Sequence, residues 1–218
     1  LIALQNKGYQ HEGEVYKELT QNDSVRSIDI NDFDKNDQAS KTIEAMQQGF
    51  DVIYQARLSL APFAGTADFL IKVDTPSKLG NFSYEVWDSK LAYTVKPYFV
   101  IQLCCYAQML EQIQGILPIS IGVMLGDKTN EQFRTEDYYY YYLSLKEKFL
   151  SAQAQFNIND IPEPFDSREH GAWSDYAQSL LEERDHLSLI ANINRSQIKK
   201  LTAAGVATCA ALRAHQGY

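Results

Sequence analysis

Three consecutive segments with the composition of β-strands constrain most strongly how this chain folds. Residues 51–60, 67–73 and 84–90 are rich in β-branched and aromatic side chains, and turn-forming residues, Pro62 and the run 78–81, lie between them. Strands joined by short turns lie side by side and pair antiparallel. The sequence therefore predicts a meander of three neighbouring strands.

Helical patterns surround this meander. Apolar residues fall near a 3.6-residue spacing up to Leu19, and residues 97–113 form a second helical stretch, with Pro97 in its first turn and Gly115 beyond its end. A short apolar strand over 119–125 and a long helix over about 135–156 follow. The order helix, three strands, helix, strand, helix predicts the α/β class, with a mixed central sheet flanked by helices.

The composition changes after residue 164. A polar segment leads to residues 193–214, which read as two short helices about Gly205. We therefore predict a core over 1–165 and a small helical C-terminal extension over 166–218.

The charge balance limits the possible partners. The net charge of −8 argues against a protein that coats nucleic acid by bulk attraction. From His186 to the end, however, there are four basic residues and no acidic ones. That tail can approach phosphates, although a solvated helical face is an equally good interpretation.

Cysteine number and hydropathy exclude other classes. No apolar run approaches the ~20 residues of a membrane span, and the first residues lack a signal-peptide profile, so we expect a cytoplasmic protein without a membrane partner. Cys104, Cys105 and Cys209 are too few for a disulfide framework or a tetrahedral thiolate site. A metal here needs oxygen or imidazole ligands. Because the chain starts at Leu1, we expect a piece of a longer protein.

Two of the predicted strands carry a pattern of charges. Residues two apart in a strand share a face, so Asp88 and Lys90 point together, whereas Glu85 and Trp87 point to the other side. If the strand with Asp68 pairs beside them, two carboxylates and an ammonium group meet. An unrelated pair of surface charges is the alternative, since Asp-x-Lys alone is a weak motif.

Such a cluster has a chemical consequence. Two like charges in a partly buried place favour a bound divalent cation or a raised pKa. Hard oxygen ligands suit Mg²⁺ or Mn²⁺, which can meet a substrate phosphate. Lys90 can then orient a water molecule or hold the phosphate.

Further polar residues accompany this cluster. Gln102 and Tyr106 lie four residues apart in the next predicted helix and face one direction, although helix packing also explains them. His11 lies in the first helix, where a solvent-facing histidine is the simpler interpretation.

His, Gly-x-x-Asp, Asp-x-Lys and Gln-x-x-x-Tyr in this order resemble the RecB-type nucleases of the PD-(D/E)XK superfamily. The segments 63–70, 84–92 and 102–107 look like the N-terminal nuclease domain of large bacterial RecB-like proteins that continue into a superfamily 1 helicase, and the run 184–191 resembles the segment after that domain. The resemblance implies a restriction-endonuclease-like fold.

The resemblance also implies roles at the metal. Asp68 and Asp88 would be metal ligands together with the backbone carbonyl of Ser89. His11 would be a further ligand or would contact the metal-bound phosphate.

Three other residues receive roles from the same resemblance. Lys90 would be the catalytic lysine, and Gln102 and Tyr106 would support the site and contact the DNA backbone. Many relatives hold a [4Fe–4S] cluster with three cysteines in the segment that corresponds to 165–184. This chain has none there, so we expect no iron–sulfur cluster.

A possible DNA contact lies in the tail. Lys199, Lys200 and Gly205 fall in a stretch that resembles a helix-hairpin-helix, whose glycine turn and helix amides can hold a phosphate without reading sequence. A plain helical hairpin or a linker is the alternative.

These inferences together predict a Mg²⁺- or Mn²⁺-dependent deoxyribonuclease. Single-stranded or end-bearing DNA as substrate, and a covalently linked helicase domain, follow from the resemblance alone. The alternatives are a catalytically inactive domain that binds DNA or a partner, and a structural module of a helicase assembly.

Overall fold

The computed structural model describes residues 2–159, 163–167 and 169–215, with side chains from residue 5 onwards. Contacts divide the chain into two compact units, Leu1–Ser151 and Ala152–Tyr218. The predicted division after residue 165 lies within the second unit and stays a prediction. The predicted ranges also include residue 1 and residues 216–218, which lie outside the described residues.

The first unit is built on a sheet of six strands in the order β1 to β6. The strands are β1 Ser27–Asp29, β2 Val52–Leu60, β3 Phe63–Val73, β4 Ser83–Lys90, β5 Ser120–Leu125 and β6 Asn130–Arg134. β2, β3 and β4 pair antiparallel, as do β5 and β6, whereas β1 is parallel to β2 and β4 is parallel to β5. The sheet is therefore mixed, and the predicted meander is confirmed.

Helices cover both faces of this sheet. They are α1 Ile2–Leu19, α2 Gln38–Gln48, α3 Pro97–Gln114 and α4 Glu136–Ala154. The proline at the start of α3 and Gly115 at its end, with φ 76°, have the positions that the sequence predicted. The α/β class and the mixed sheet flanked by helices are thus confirmed, in agreement with a restriction-endonuclease-like layout.

The core has two parts, one on each face. The larger part joins α2, α3 and α4 to the sheet through residues such as Met46, Leu70 and Leu103. The smaller part joins Val15 of α1 to Phe69 and neighbouring side chains. Because apolar side chains fill both faces, polar groups near the centre of the sheet are deprived of water.

The ladder between β2 and β3 is irregular at one position. Tyr54 pairs with Phe69 and Ala56 pairs with Ala67, which leaves Gln55 opposite Asp68. Gln55 has φ 56°, in the left-handed region that residues other than glycine seldom adopt. Ala67 and Leu70 both belong to the larger core part, although strict alternation would put them on opposite faces.

The sequence pattern did not predict β1, α2 or β6. β1 has three residues, too few to show a periodicity. α2 has few large apolar side chains, and β6 is an edge strand with exposed polar residues at four of its five positions. None of the three carries the alternation by which a half-buried element is recognised.

The second unit contains the helices α5 Ser174–Glu183, α6 Arg195–Ala203 and α7 Cys209–Ala214. Gly205, with φ 82°, lies in the turn between α6 and α7, so the predicted small helical extension with a pair of short helices is confirmed. Among the described helices of either unit, none combines the length and the apolar character needed to cross a bilayer.

Candidate active site

Two carboxylates and one ammonium group meet on adjacent strands of the sheet. Lys90 Nζ lies 2.5 Å from Asp88 Oδ2 on β4, and the side chain of Asp68 on β3 is within hydrogen-bonding reach of Asp88. Glu85 is not part of this group, because it accepts a hydrogen bond of 3.3 Å from Gln132 Nε2 on β6. The structure therefore brings together the three residues that the alternation of the strands selected.

Asp68 is held by the strand that carries its partner. Its Oδ2 accepts hydrogen bonds from Ser89 N at 2.8 Å and from Ser89 Oγ at 3.1 Å. Ser89 thus fixes Asp68 through its amide and its hydroxyl group. The role of the Ser89 carbonyl as a metal ligand stays an expectation.

Asp88 is the most deprived of water in this group. Its side chain is 4% exposed. Burial and, after it, the charge of Asp68 raise the pKa of Asp88 to about 7, although the charge and hydrogen bond of Lys90 lower it in part. Its Oδ2 contacts the ammonium group of Lys90 at 2.5 Å. Because Asp68 adds a second carboxylate beside this one ammonium group, negative charge remains in excess, and a bound cation or a proton can offset it.

Glu12 is a further carboxylate near Asp68, and it is buried; the sequence analysis did not select it. It lies on α1 and accepts hydrogen bonds from Gln55 Nε2 and from the hydroxyl group of Tyr54. Burial and the charge of Asp68 raise the pKa of Glu12, whereas the two hydrogen bonds and Lys90 lower it in part. The strained backbone of Gln55 places its amide on this carboxylate, which is typical of a functional site.

His11 lies beside Glu12 on α1, and both residues line a cavity together with Asp68. Its Nε2 is buried and has no hydrogen-bond partner in the described part of the chain. Within residues 2–159, 163–167 and 169–215 there is also no cluster of three or more His, Cys, Asp or Glu side chains that could hold a metal ion. The structure therefore does not bring His11 together with Asp68 and Asp88 as a ligand set, and its role at a metal stays an expectation.

A cavity of about 240 Å³ opens over these residues. Its wall contains Tyr9, His11, Glu12, Asp68, Ser89 and Lys90, among others. Asp88 lies beneath it, in contact with Lys90. Because both an ammonium group and carboxylates face the cavity, an anionic ligand can enter only beside Lys90 or with a cation.

Gln102 and Tyr106 on α3 brace β3 next to Asp68. The hydroxyl group of Tyr106 donates a hydrogen bond of 2.8 Å to the carbonyl of Thr66, and its side chain is also hydrogen-bonded to Gln102. A Cβ atom at Gly65 would lie 2.6 Å from the Tyr106 hydroxyl oxygen, so only glycine permits this approach. This contact gives a structural reason why Gly-x-x-Asp and Gln-x-x-x-Tyr occur together.

The donor set fits a hard dication. Mg²⁺ keeps several water molecules and is often bound by one or two carboxylates and substrate phosphates, so it does not need a third charged side chain. Asp68 and Asp88 supply two carboxylates beside one ammonium group. Oxygen donors of this kind are those that Mg²⁺ or Mn²⁺ prefers, whereas a metal that prefers thiolates finds no ligand among the described residues of the site; binding of a metal stays an expectation.

The predicted DNA contact in the second unit receives less support. The first amides of α7 already have partners, since Ala210 N donates to Asp185 Oδ2 at 2.6 Å and Ala211 N donates to Thr208 Oγ1 at 3.0 Å. A phosphate would have to displace the carboxylate of Asp185 to use these amides. Contacts from Lys199, Lys200 and Gly205 to DNA stay a prediction.

Fold and site together define an α/β protein with a buried carboxylate, a half-buried carboxylate and a lysine on two adjacent strands of a mixed sheet. Comparison of the chain with models of protein families and with curated proteins gives no match. The resemblance to RecB-type nucleases therefore rests on the sequence motifs and stays an expectation.

Proposed function

We propose that this protein is a metal-dependent deoxyribonuclease that hydrolyses phosphodiester bonds at Asp68, Asp88 and Lys90. One observation carries the proposal: two carboxylates converge beside a single ammonium group, and one of them, Asp88, is buried and has a pKa raised to about 7. Evolution rarely keeps an uncompensated buried charge for stability, because such a charge is costly. A hard dication would compensate it.

Each residue has a defined task in this proposal. Asp68 and Asp88 would hold Mg²⁺ or Mn²⁺, which when bound acts as a Lewis acid for a phosphodiester and lowers the pKa of water. Ser89 keeps Asp68 in place. Lys90, which faces the cavity, would hold the phosphate and stabilise the negative charge that develops during the reaction.

The substrate and the context follow from the resemblance. Single-stranded or end-bearing DNA and a covalently linked helicase domain are its implications for this chain. The acidic balance of the protein supports delivery of DNA by such a tethered domain, since bulk attraction is unfavourable at a net charge of −8.

The test is cleavage of a labelled single strand in Mn²⁺. Lys90→Met should reduce kcat at least about a hundredfold, because it removes a charge aimed at the reacting phosphate. Lys72→Met is the matched control, since Lys72 is also a strand lysine that pairs with an aspartate, Asp51, but lies outside the cavity. Equal cleavage by wild type and Lys90→Met would contradict a nuclease site at these residues.

A domain that binds DNA or a partner without cleaving is the second candidate. The observation in its favour is that no third metal-ligating side chain joins Asp68 and Asp88 among the described residues. Binding of a single strand without cleavage in Mg²⁺ or Mn²⁺ would select this candidate.

A further inference from the structure

A groove in the first unit lies beside the candidate active site and has no role in the chemistry above. It is formed by α3, α4 and the start of β3, and its volume of about 500 Å³ lies within the range of about 300–1,000 Å³ found for small-molecule sites. Phe63 and Phe149 face each other across it, with ring centroids 6.1 Å apart. Met109 adds further apolar surface.

One cation lines this apolar groove. Lys146 Nζ lies 5.4 Å from the centroid of the Phe63 ring and donates a hydrogen bond of 2.7 Å to Gln108 Oε1, a neutral acceptor. No carboxylate of the described residues forms an ion pair with Lys146. A ligand that brings a negative charge into the groove would therefore gain an ion pair, which a purely apolar ligand cannot do.

Tyr106 of α3 links the groove to the candidate active site, since the charges of Asp88 and Asp68 act on its hydroxyl group. Gln102 and Tyr106 both line the groove. The hydroxyl group of Tyr106 is bonded to the carbonyl of Thr66, two residues before Asp68. A chain-like ligand that reaches both places would therefore pass Tyr106.

We propose that this groove binds one nucleotide of a single-stranded DNA, next to the phosphate that is cleaved. The base packs against Phe63 and Phe149, and the backbone phosphate pairs with Lys146. Stacking on aromatic rings and pairing with a lysine are the two elements of binding to single strands without sequence preference. The inference rests on the proposed function for the place of cleavage, but the binding itself does not depend on it.

The experiment measures binding without cleavage. Fluorescence anisotropy of a labelled single strand, in EDTA and at low salt, gives the dissociation constant for the full chain. Phe149→Ala should weaken binding about tenfold, because stacking of one base contributes about that much. Phe149 is 48% exposed, so its removal leaves the core intact, and circular dichroism verifies the fold.

Two variants on the same helix are matched controls. Tyr140 is 76% exposed on α4 and does not line the groove, so Tyr140→Ala should leave the dissociation constant unchanged. Lys146→Ala should weaken binding and reduce the slope of log Kd against log salt by about one, whereas Lys148→Ala should not. Equal effects of a variant and its control would overturn the proposal.

A set of strands that each lack one base tests the stacking directly. One abasic position should weaken binding by wild type about as much as Phe149→Ala does, and the two changes together should add nothing further. If the true occupant is an apolar segment of another protein, an abasic position should not change the binding of the strand. Unchanged binding therefore overturns the proposal.

The outcomes separate this inference from the proposed function. If the strand is cleaved but an abasic position does not weaken binding, nucleotide binding in the groove is contradicted and the proposed nuclease function is not. If an abasic position weakens binding by wild type but not by Phe149→Ala, and the strand is not cleaved in Mn²⁺, the groove binds a nucleotide and the proposed nuclease function is contradicted. Failure of the single strand to bind at all would remove both.

Discussion

Two lysines of the sheet each pair with an aspartate, and the environments of the two pairs differ. Lys72 on β3, opposite Tyr84 near the beginning of β4, pairs with Asp51, and Lys90 at the end of β4 pairs with Asp88. Burial alone raises the pKa of Asp51, but the hydrogen bonds and charges of Lys72 and Arg26 lower it overall. At Asp88, burial and a second carboxylate outweigh the lysine, and the pKa is raised to about 7.

The comparison shows that an ion pair of aspartate and lysine does not by itself define a functional site. Asp51 is 32% exposed and has enough partners, including Arg26 N at 2.9 Å, so its charge stabilises the fold. Asp88 shares one lysine with Asp68 and, at longer range, with Glu12. Surplus negative charge in a dry place costs stability, and proteins keep such charges where a ligand uses them.

A divalent ion should produce the largest contrast between the two pairs. Mn²⁺ at a hundred times its dissociation constant should stabilise the wild-type protein against urea by about 2.7 kcal/mol, because it binds only the folded state. Asp88→Asn should abolish this effect. The measurement is the urea midpoint with and without Mn²⁺.

Asp51→Asn is the control for that measurement, since Asp51 also pairs with a lysine of the sheet, Lys72, but lies outside the cavity. It should keep the full response to Mn²⁺. Loss of the response in both variants would mean that the ion acts elsewhere or that both variants unfold. An unchanged response in Asp88→Asn would remove Asp88 as a ligand.

In the absence of metal, the two aspartates should have opposite effects on stability. At pH 8, Asp88→Asn should stabilise the protein by about 2 kcal/mol, because it removes a buried charge in excess. Asp51→Asn should destabilise it by about 1 kcal/mol, because it weakens a hydrogen-bonded ion pair. Urea unfolding measures both. The same sign for the two variants would contradict the comparison.

The pH dependence of these effects has a definite sign. The folded pKa of Asp88 is raised from 3.8 to about 7, so its protonated form favours folding below pH 3.8 and this advantage is lost as the pH rises to about 7. The gain from Asp88→Asn should therefore appear between pH 4 and pH 7. Because the pKa of Asp51 is lowered, its contribution is present above pH 3.8 and is lost as the pH falls further.

Much of the fold was predictable because its central elements follow simple periodicities. β2, β3 and β4 have strand composition and turn residues between them, and α3 has a proline at its start and a glycine at its end. β1, α2 and β6 were missed because their positions depend on pairing with neighbours that a local pattern does not contain.

The site was predictable only in part. Alternation along β4 selected Asp88 and Lys90 over Glu85, and in the structure Lys90 lies beside Asp88, whereas Glu85 is hydrogen-bonded to Gln132. Glu12 was missed because it looks like any helix carboxylate in the sequence. Its burial depends on Gln55, whose left-handed backbone no residue pattern announces. In α1, the sequence analysis selected only the neighbouring His11 as a candidate site residue.

The smallest effect concerns Glu12 and shows how far the surplus of charge extends. Glu12→Gln should weaken Mn²⁺ binding about threefold, because it removes a charge that acts on the site through space without being a ligand. Glu14→Gln, on the exposed side of the same helix, should have less effect. Titration of Mn²⁺ against the urea midpoint measures both variants. If Glu12→Gln abolishes Mn²⁺ binding as completely as Asp88→Asn does, Glu12 is itself a ligand. The difference between Asp88 and Asp51 would then come from three carboxylates that bind one ion.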